Sequence, residues 1–252
     1  MRVFAVSDLH VDYEENAKWV SGLSSYEYRS DALIVAGDVT DSLPLLARTL
    51  RRLADRFRAV LYVPGNHELW IVRDRGIRSS LEKFRLVLDV AEQSGACLGP
   101  YRAPGIAVVP LHGWYDYSFG EPTRSLREMW MDYHACRWPE GMSMLDVAAR
   151  FAAMNPAAIS AADFVVTFSH FLPRLDLLPA RVAAYNQVLR PVLGTTGLEL
   201  QLRTLGSNVH VYGHSHFNHR VSLEGVEYVN NALGYPPEAA ITARRLRCVY
   251  GD

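Results

Sequence analysis

The chain has 252 residues, 49% of them hydrophobic and 21% charged, with a formal net charge of -1 at pH 7. That length can bury a sizeable core, and the near-neutral charge excludes the basic footprint of a duplex nucleic-acid binder while leaving room for a small phosphorylated substrate. Cys97, Cys136 and Cys248 form no CxxC pair, and no stretch reaches the ~18 apolar residues of a membrane span; with no signal-peptide pattern at the start, a soluble cytoplasmic protein without a disulfide framework is expected.

In chain order, "VFAV" at 3–6 predicts a strand leading into Ser7-Asp8-Leu9-His10. "ALIVA" at 32–36 leads into Gly37-Asp38, and residues 43–57 place Leu46, Leu50, Leu53 and Phe57 on one helical face. "AVLYV" at 59–63 leads into Pro64-Gly65-Asn66-His67-Glu68, followed by a less regular helix over 78–94. The strand-like "IAVVPL" runs into His112 and an irregular, aromatic-rich segment at 112–142. Too long for an ordinary connection, this segment predicts an insertion with short helices beside the site. "FVVTF" at 164–168 leads into Ser169-His170, a helix is predicted over about 183–205, and "VHVY" at 209–212 leads into Gly213-His214-Ser215-His216. The tail reads as a hairpin turning at Glu224-Gly225, then a last strand around 239–249.

Strands alternating with helices predict an α/β fold with a largely parallel centre, and the antiparallel tail makes its sheet mixed. With no linker or repeat, one domain over 1–252 is expected, carrying the 112–142 insertion. Open α/β sheets bind ligands beyond the carboxyl ends of their strands, where every polar cluster named above falls.

Together the clusters offer Asp8, His10, Asp38, Asn66, His67, His170, His214 and His216. Carboxylate oxygen and imidazole nitrogen suit Mn, Fe or Zn, and the set is too large for one ion; it fits two divalent ions sharing a carboxylate. His214 and His216 alternate in an extended segment, so their side chains point the same way. His210 is expected on a strand face away from the site, with His134 and His219 structural. His112 either reaches the metal pocket or serves a turn. Trp114, Tyr115, Tyr117, Phe119, Trp130, Tyr133 and Trp138 form either a wall that stacks the substrate or a local mini-core. His112, Trp114 and Tyr115 are therefore the candidate substrate contacts. Asn231 and Tyr235, in "VNNALGYP", either line the pocket or belong to a turn.

The ordered motifs "DLH" at 8–10, "GDVTD" at 37–41, "GNHE" at 65–68, "SH" at 169–170 and "GHSH" at 213–216 resemble those of the calcineurin-like metallophosphoesterases. The resemblance implies a βαββα-type sandwich of two mixed β-sheets flanked by helices. It implies Asp8, His10 and His216 on one ion, Asn66, His170 and His214 on the other, and Asp38 bridging. His67 is implied as the general acid, or an electrostatic stabiliser, at the leaving oxygen, oriented by Asp41. The family's protein phosphatases carry an arginine at the next position; here it is Ser42, which argues against that activity. The implied reaction is hydrolysis of a small phosphomonoester or phosphodiester by a metal-bridging hydroxide. The alternatives are a cyclic-nucleotide phosphodiesterase or nuclease, and a non-catalytic scaffold of the same fold, which the intact motif set disfavours.

Overall fold

The valine-rich runs become strands because both of their faces are buried, so β-branched residues pack on either side. In the computed structural model, which describes residues 1–74, 76–179 and 187–251, they are distributed over two sheets. The first contains β1 (Val3–Val6), β2 (Ala32–Ala36), β3 (Ala59–Val63) and β4 (Ala96–Cys97), all parallel, with β11 (Arg247–Tyr250) antiparallel on the outer edge of β1. The second contains β5 (Tyr101–Ala103), β6 (Ile106–Pro110), β7 (Phe164–Phe168), β8 (Val209–Tyr212), β9 (His219–Leu223) and β10 (Val226–Asn230), in the order β5-β6-β7-β8-β10-β9. Its four central strands are parallel and its two edges antiparallel, so both sheets are mixed, as expected.

Period-two alternation assigns each strand's side chains to separate layers. Val3 and Ala5, Ile34 and Ala36, and Leu61 and Val63 point inward against Val108, Val166, Phe168, Val211 and Val229 of the second sheet. Phe4, Val6, Leu33, Val35, Val60 and Tyr62 point outward, where Leu46, Leu50 and Leu53 of α2 (Leu43–Ala54) and Val87 and Ala91 of α3 (Ser80–Gln93) cover them. Val20 of α1 (Glu14–Gly22) joins that layer. The outer face of the second sheet is covered by α6 (Met144–Ala152), α7 (Thr196–Thr204) and the segment after β6, which carries the short helices α4 (Arg124–Met129) and α5 (Asp132–Ala135).

Three boundaries differ from the sequence expectation. Helix α2 stops at Ala54, although Phe57 stays buried as its apolar face predicts. The helix expected over about 183–205 is broken. Residues 183–186 lie outside the described residues, 187–192 form a 3-10 turn containing Pro191, and α7 begins only at Thr196. Pro191 has no N–H to donate to a continuous helix. The last strand is confined to 247–250, because 236–238 form a 3-10 turn that packs beside the strand ends.

Candidate metal centre

The loops after the parallel strands are laced together before any side chain is considered. The Asp8 N–H donates to the carbonyl of Gly37, that of His10 to Asp38, and that of Gly213 to His170. Glu68, fully buried, accepts from the backbone N–H groups of Asp38 (3.1 Å), Val39 (2.6 Å) and Gly65 (2.8 Å), clamping the loop after β2 to the loop after β3. A Cβ at Gly65 would collide with Oδ1 of Asp38, and one at Gly37 would lie 2.5 Å from Nδ1 of His170. Glycine in "GD" and "GNHE" is thus required by close approach.

Asp8 (φ 52°), His10 (φ 40°), Asp38 (φ 54°), His214 (φ 66°) and His216 (φ 49°) all have left-handed backbone. Non-glycine residues adopt it rarely, and such strain concentrates at functional sites. The turns re-aim each side chain at a common point. Donor atoms of Asp8, His10, Asp38 and His216 lie within 4.8 Å of one another, and those of Asp38, His170 and His214 form a second such group. Asp38 belongs to both, the arrangement a bridging carboxylate requires.

The hydrogen bonds around these imidazoles fit a cation. His170 presents Nδ1 to the carbonyl of Ala36 (3.0 Å), His214 presents Nε2 to that of Val192 (3.1 Å), and His216 presents Nδ1 to the carboxylate of Glu238 (2.7 Å). A carbonyl or carboxylate can only accept, so each ring donates there and aims its other nitrogen inward, where a cation would take its lone pair. Nε2 of His170 then faces Nδ1 of His214 at 3.0 Å, and Nε2 of His10 faces Nε2 of His216 at 3.0 Å. Burial, together with the carboxylates of Glu68 and Asp8, pushes Asp38 well above the usual carboxylate range. Burial, with His216 beside it, lowers His10 to about 3. Against burial, the carboxylates of Asp8 and Glu238 raise His216 to about 10. Carboxylates and imidazoles crowded into one buried space and competing for protons are the environment a divalent cation relieves. Asn66 joins the second group through Oδ1, 3.0 Å from Nε2 of His170.

His67 stands apart from both donor groups. Its Nε2 is 3.7 Å from Oδ2 of Asp38, its ring lies 3.7 Å from that of Trp70, and it borders a crevice of about 330 Å³. Tyr235 also lines that crevice and brings its hydroxyl to 3.3 Å from Nε2 of His67. The expected orienting role of Asp41 is not reproduced. Its carboxylate pairs with Arg73 at 3.1 Å, and Lys83 donates to its backbone carbonyl. Asn231 lies under the site, with its amide bonded to the carbonyls of Ala5 and Arg245.

The three candidate substrate contacts fall elsewhere, which corrects that expectation. Trp114 and Tyr115 are each 1% exposed and pack on Phe171 within the core behind the second sheet. Burying rings of that size gains more than exposing them at a crevice wall, so the mini-core prevails. His112 packs edge-on to Phe84 and lines a separate depression with Leu145, Ala148 and Leu198. From the insertion, Trp130 does reach the crevice. Sequence reading missed Glu238 and Asp132. Glu238 follows a turn with no periodicity, and Asp132 sits in an aromatic segment whose register no pattern fixes. His134 is at the surface against the Glu128 carbonyl, His219 opens β9, and His210 is fully buried in β8 between Thr167 and Ser169.

A family model described as calcineurin-like phosphoesterase matches residues 1–218. The chain is 31% identical over 125 residues to the acyl-carrier-protein phosphodiesterase PptH of Mycobacterium tuberculosis, a match covering 46% of this chain and 38% of that protein's length. The crystal structure of the phosphopantetheinyl hydrolase PptH from that organism superposes with a TM-score of 0.78 at 25% identity, covering 100% of this chain and 96% of that one. A second solved structure, 12% identical and covering 92% and 90% of the two chains, superposes at 0.54 and shows the fold alone. The chain therefore belongs to the calcineurin-like phosphoesterases, and it carries that family's chemistry on a buried cluster of histidine and aspartate.

Proposed function

We propose that the chain hydrolyses a phosphodiester, and that its substrate class is an acyl-carrier protein bearing a phosphopantetheine arm. Asp8, His10 and His216 would hold one divalent ion, and Asn66, His170 and His214 a second, with Asp38 shared between the two donor groups. Such ions, once bound, supply Lewis-acid polarisation of the phosphoryl oxygens and a water of lowered pKa. The chain's own residues do the rest. His67 fronts the crevice beside Asp38, where a proton can be delivered to the departing alcohol oxygen. The Tyr235 hydroxyl fixes the height of that imidazole, and Trp70 fixes its plane. Water adds to phosphorus, the ester bond to the carrier's alcohol breaks, and phosphopantetheine leaves as a monoester.

The observation that carries the substrate class is the wall of the crevice. Beyond the polar floor it is lined by Trp130, Leu178, Leu189, Leu193 and Ile241, and its described lining includes no lysine or arginine. An apolar slot suits a long uncharged arm better than a nucleotide with further phosphates. The full-length superposition on the phosphopantetheinyl hydrolase supports the same class. Incubating the Mn-supplemented protein with the arm-bearing carrier should release the arm, seen by mass spectrometry as return of the carrier to its unmodified mass. An unchanged carrier alongside rapid cleavage of cyclic nucleotides would instead favour the cyclic-nucleotide reading.

A further inference from the structure

Asp132, on α5 within the insertion, is 2% exposed and sits behind the metal centre. Its Oδ1 accepts from Nδ2 of Asn66 (2.9 Å) and from the indole N–H of Trp70 (2.7 Å). Its Oδ2 accepts from the indole N–H of Trp130 (2.9 Å). Each of these partners has a second task. Asn66 is a donor to the second metal group, Trp70 stacks on His67, and Trp130 walls the crevice and meets the His214 ring edge-on at 5.8 Å.

We infer that Asp132 is the positioning residue of this centre, orienting Asn66 toward the second ion while fixing Trp70 and Trp130. The two ends of a side-chain amide differ chemically. Asn66 can turn either its oxygen or its NH₂ toward His170, and only the oxygen can ligate a cation. A buried carboxylate accepts hydrogen bonds, so Asp132 captures the NH₂ and leaves Oδ1 facing inward. Without it both orientations are open, and one places two N–H donors against the ion. The same carboxylate ties the plane of Trp70, and through it His67, to the crevice wall at Trp130. The insertion thus contributes to the centre through one acid and one indole, whereas Trp114 and Tyr115 anchor it to the core. The inference rests on the dinuclear reading of the site and is independent of the substrate.

The test is calorimetric titration of Mn into chelator-treated protein, with Mn electron paramagnetic resonance to report spin coupling between ions. Asp132→Asn should bind the first ion as the wild type does. The second should bind ~10–100-fold more weakly, the usual effect of losing a partner that orients a ligand, and the coupled spectrum should give way to an isolated one. The exchange Asn66→Asp with Asp132→Asn reverses the hydrogen bond and presents a carboxylate oxygen inward where the amide oxygen stood. It should recover the second ion to within several-fold. Trp130→Phe removes one donor to Asp132 without touching Asn66 and should keep both ions. Wild-type binding of both ions by Asp132→Asn overturns the inference, as does a loss that the exchange fails to recover. If the wild type itself takes up only one ion, the dinuclear reading falls and this inference with it.

Discussion

The hydroxyl of Tyr235 stands 3.3 Å from Nε2 of His67, while its ring lies 4.4 Å from that of His10. Tyr235, and not Asp41, is the side chain within reach of that imidazole nitrogen, and the contact has kinetic consequences. Tyr235→Phe should keep both ions and lower kcat by about 10²-fold or less, at or below the low end of the ~10²–10⁴ that a proton-transfer group contributes. The loss should be larger for alkyl esters than for nitrophenyl esters, whose leaving group needs no proton. Asp41→Asn, which removes half of a pair with Arg73, should leave that leaving-group dependence unchanged.

Asp38 and His67 should separate cleanly. Asp38→Ala removes the carboxylate common to both donor groups, so metal content and turnover should fall together. His67→Ala should keep its metal and lose ~10²–10⁴ in turnover. Metal analysis of the two variants beside their kinetics checks the distinction, and an empty site in His67→Ala would contradict it.

The crevice wall and the buried aromatic cluster should respond to different assays. Trp114→Ala should cost ~3–5 kcal/mol of stability by opening a cavity, with equal effects on large and small substrates. Leu189→Ser, at the wall, should raise KM for an arm-bearing carrier several-fold while leaving nitrophenyl phosphate unaffected. Urea denaturation paired with the two KM values distinguishes them.

His210 predicts an acid limb in the stability curve. Burial lowers it to about 3, and the imidazole is held between the hydroxyls of Thr167 and Ser169. The unfolded histidine titrates near its ordinary value of 6.5, so between there and about 3 the unfolded state binds the extra proton. Stability is complete above ~6.5 and falls by ~1.4 kcal/mol per pH unit below it. His112, lowered to about 4 by burial, adds to the same limb. His210→Gln should unfold more easily at pH 7 yet show a shallower decline on acidification, measured by denaturant titrations at stepped pH.

Much of the centre was legible in the chain because its candidate ligands lie in loops that follow buried strands. The runs before Asp8, Asp38, Asn66, His170 and His214 carry their own signal in hydrophobicity, and parallel pairing places their ends together. What could not be read is the orientation of groups reached through irregular backbone. Asp132 and Tyr235 sit in segments with no period, and their partners are set by tertiary packing alone. The failure at Trp114 and Tyr115 has a different origin. Aromatic residues after a strand signal large apolar area without saying which side of the chain will be covered, and Phe151 and Phe171 covered these. Asp41 lies at the expected spacing, but Arg73 offers it a full charge that His67 does not.

The left-handed backbone at Asp8, His10, Asp38, His214 and His216 sets a hazard for anyone who engineers this protein. Glycine relieves that strain at every one of the five positions, and asparagine tolerates it better than histidine does. A library selected only for heat resistance will therefore tend to erase the centre, since each glycine replacement removes a steric penalty together with a donor atom. The hardiest descendants of this chain would be well-folded sandwiches with nothing to bind a cation. Retention of metal has to be scored beside melting temperature from the first round.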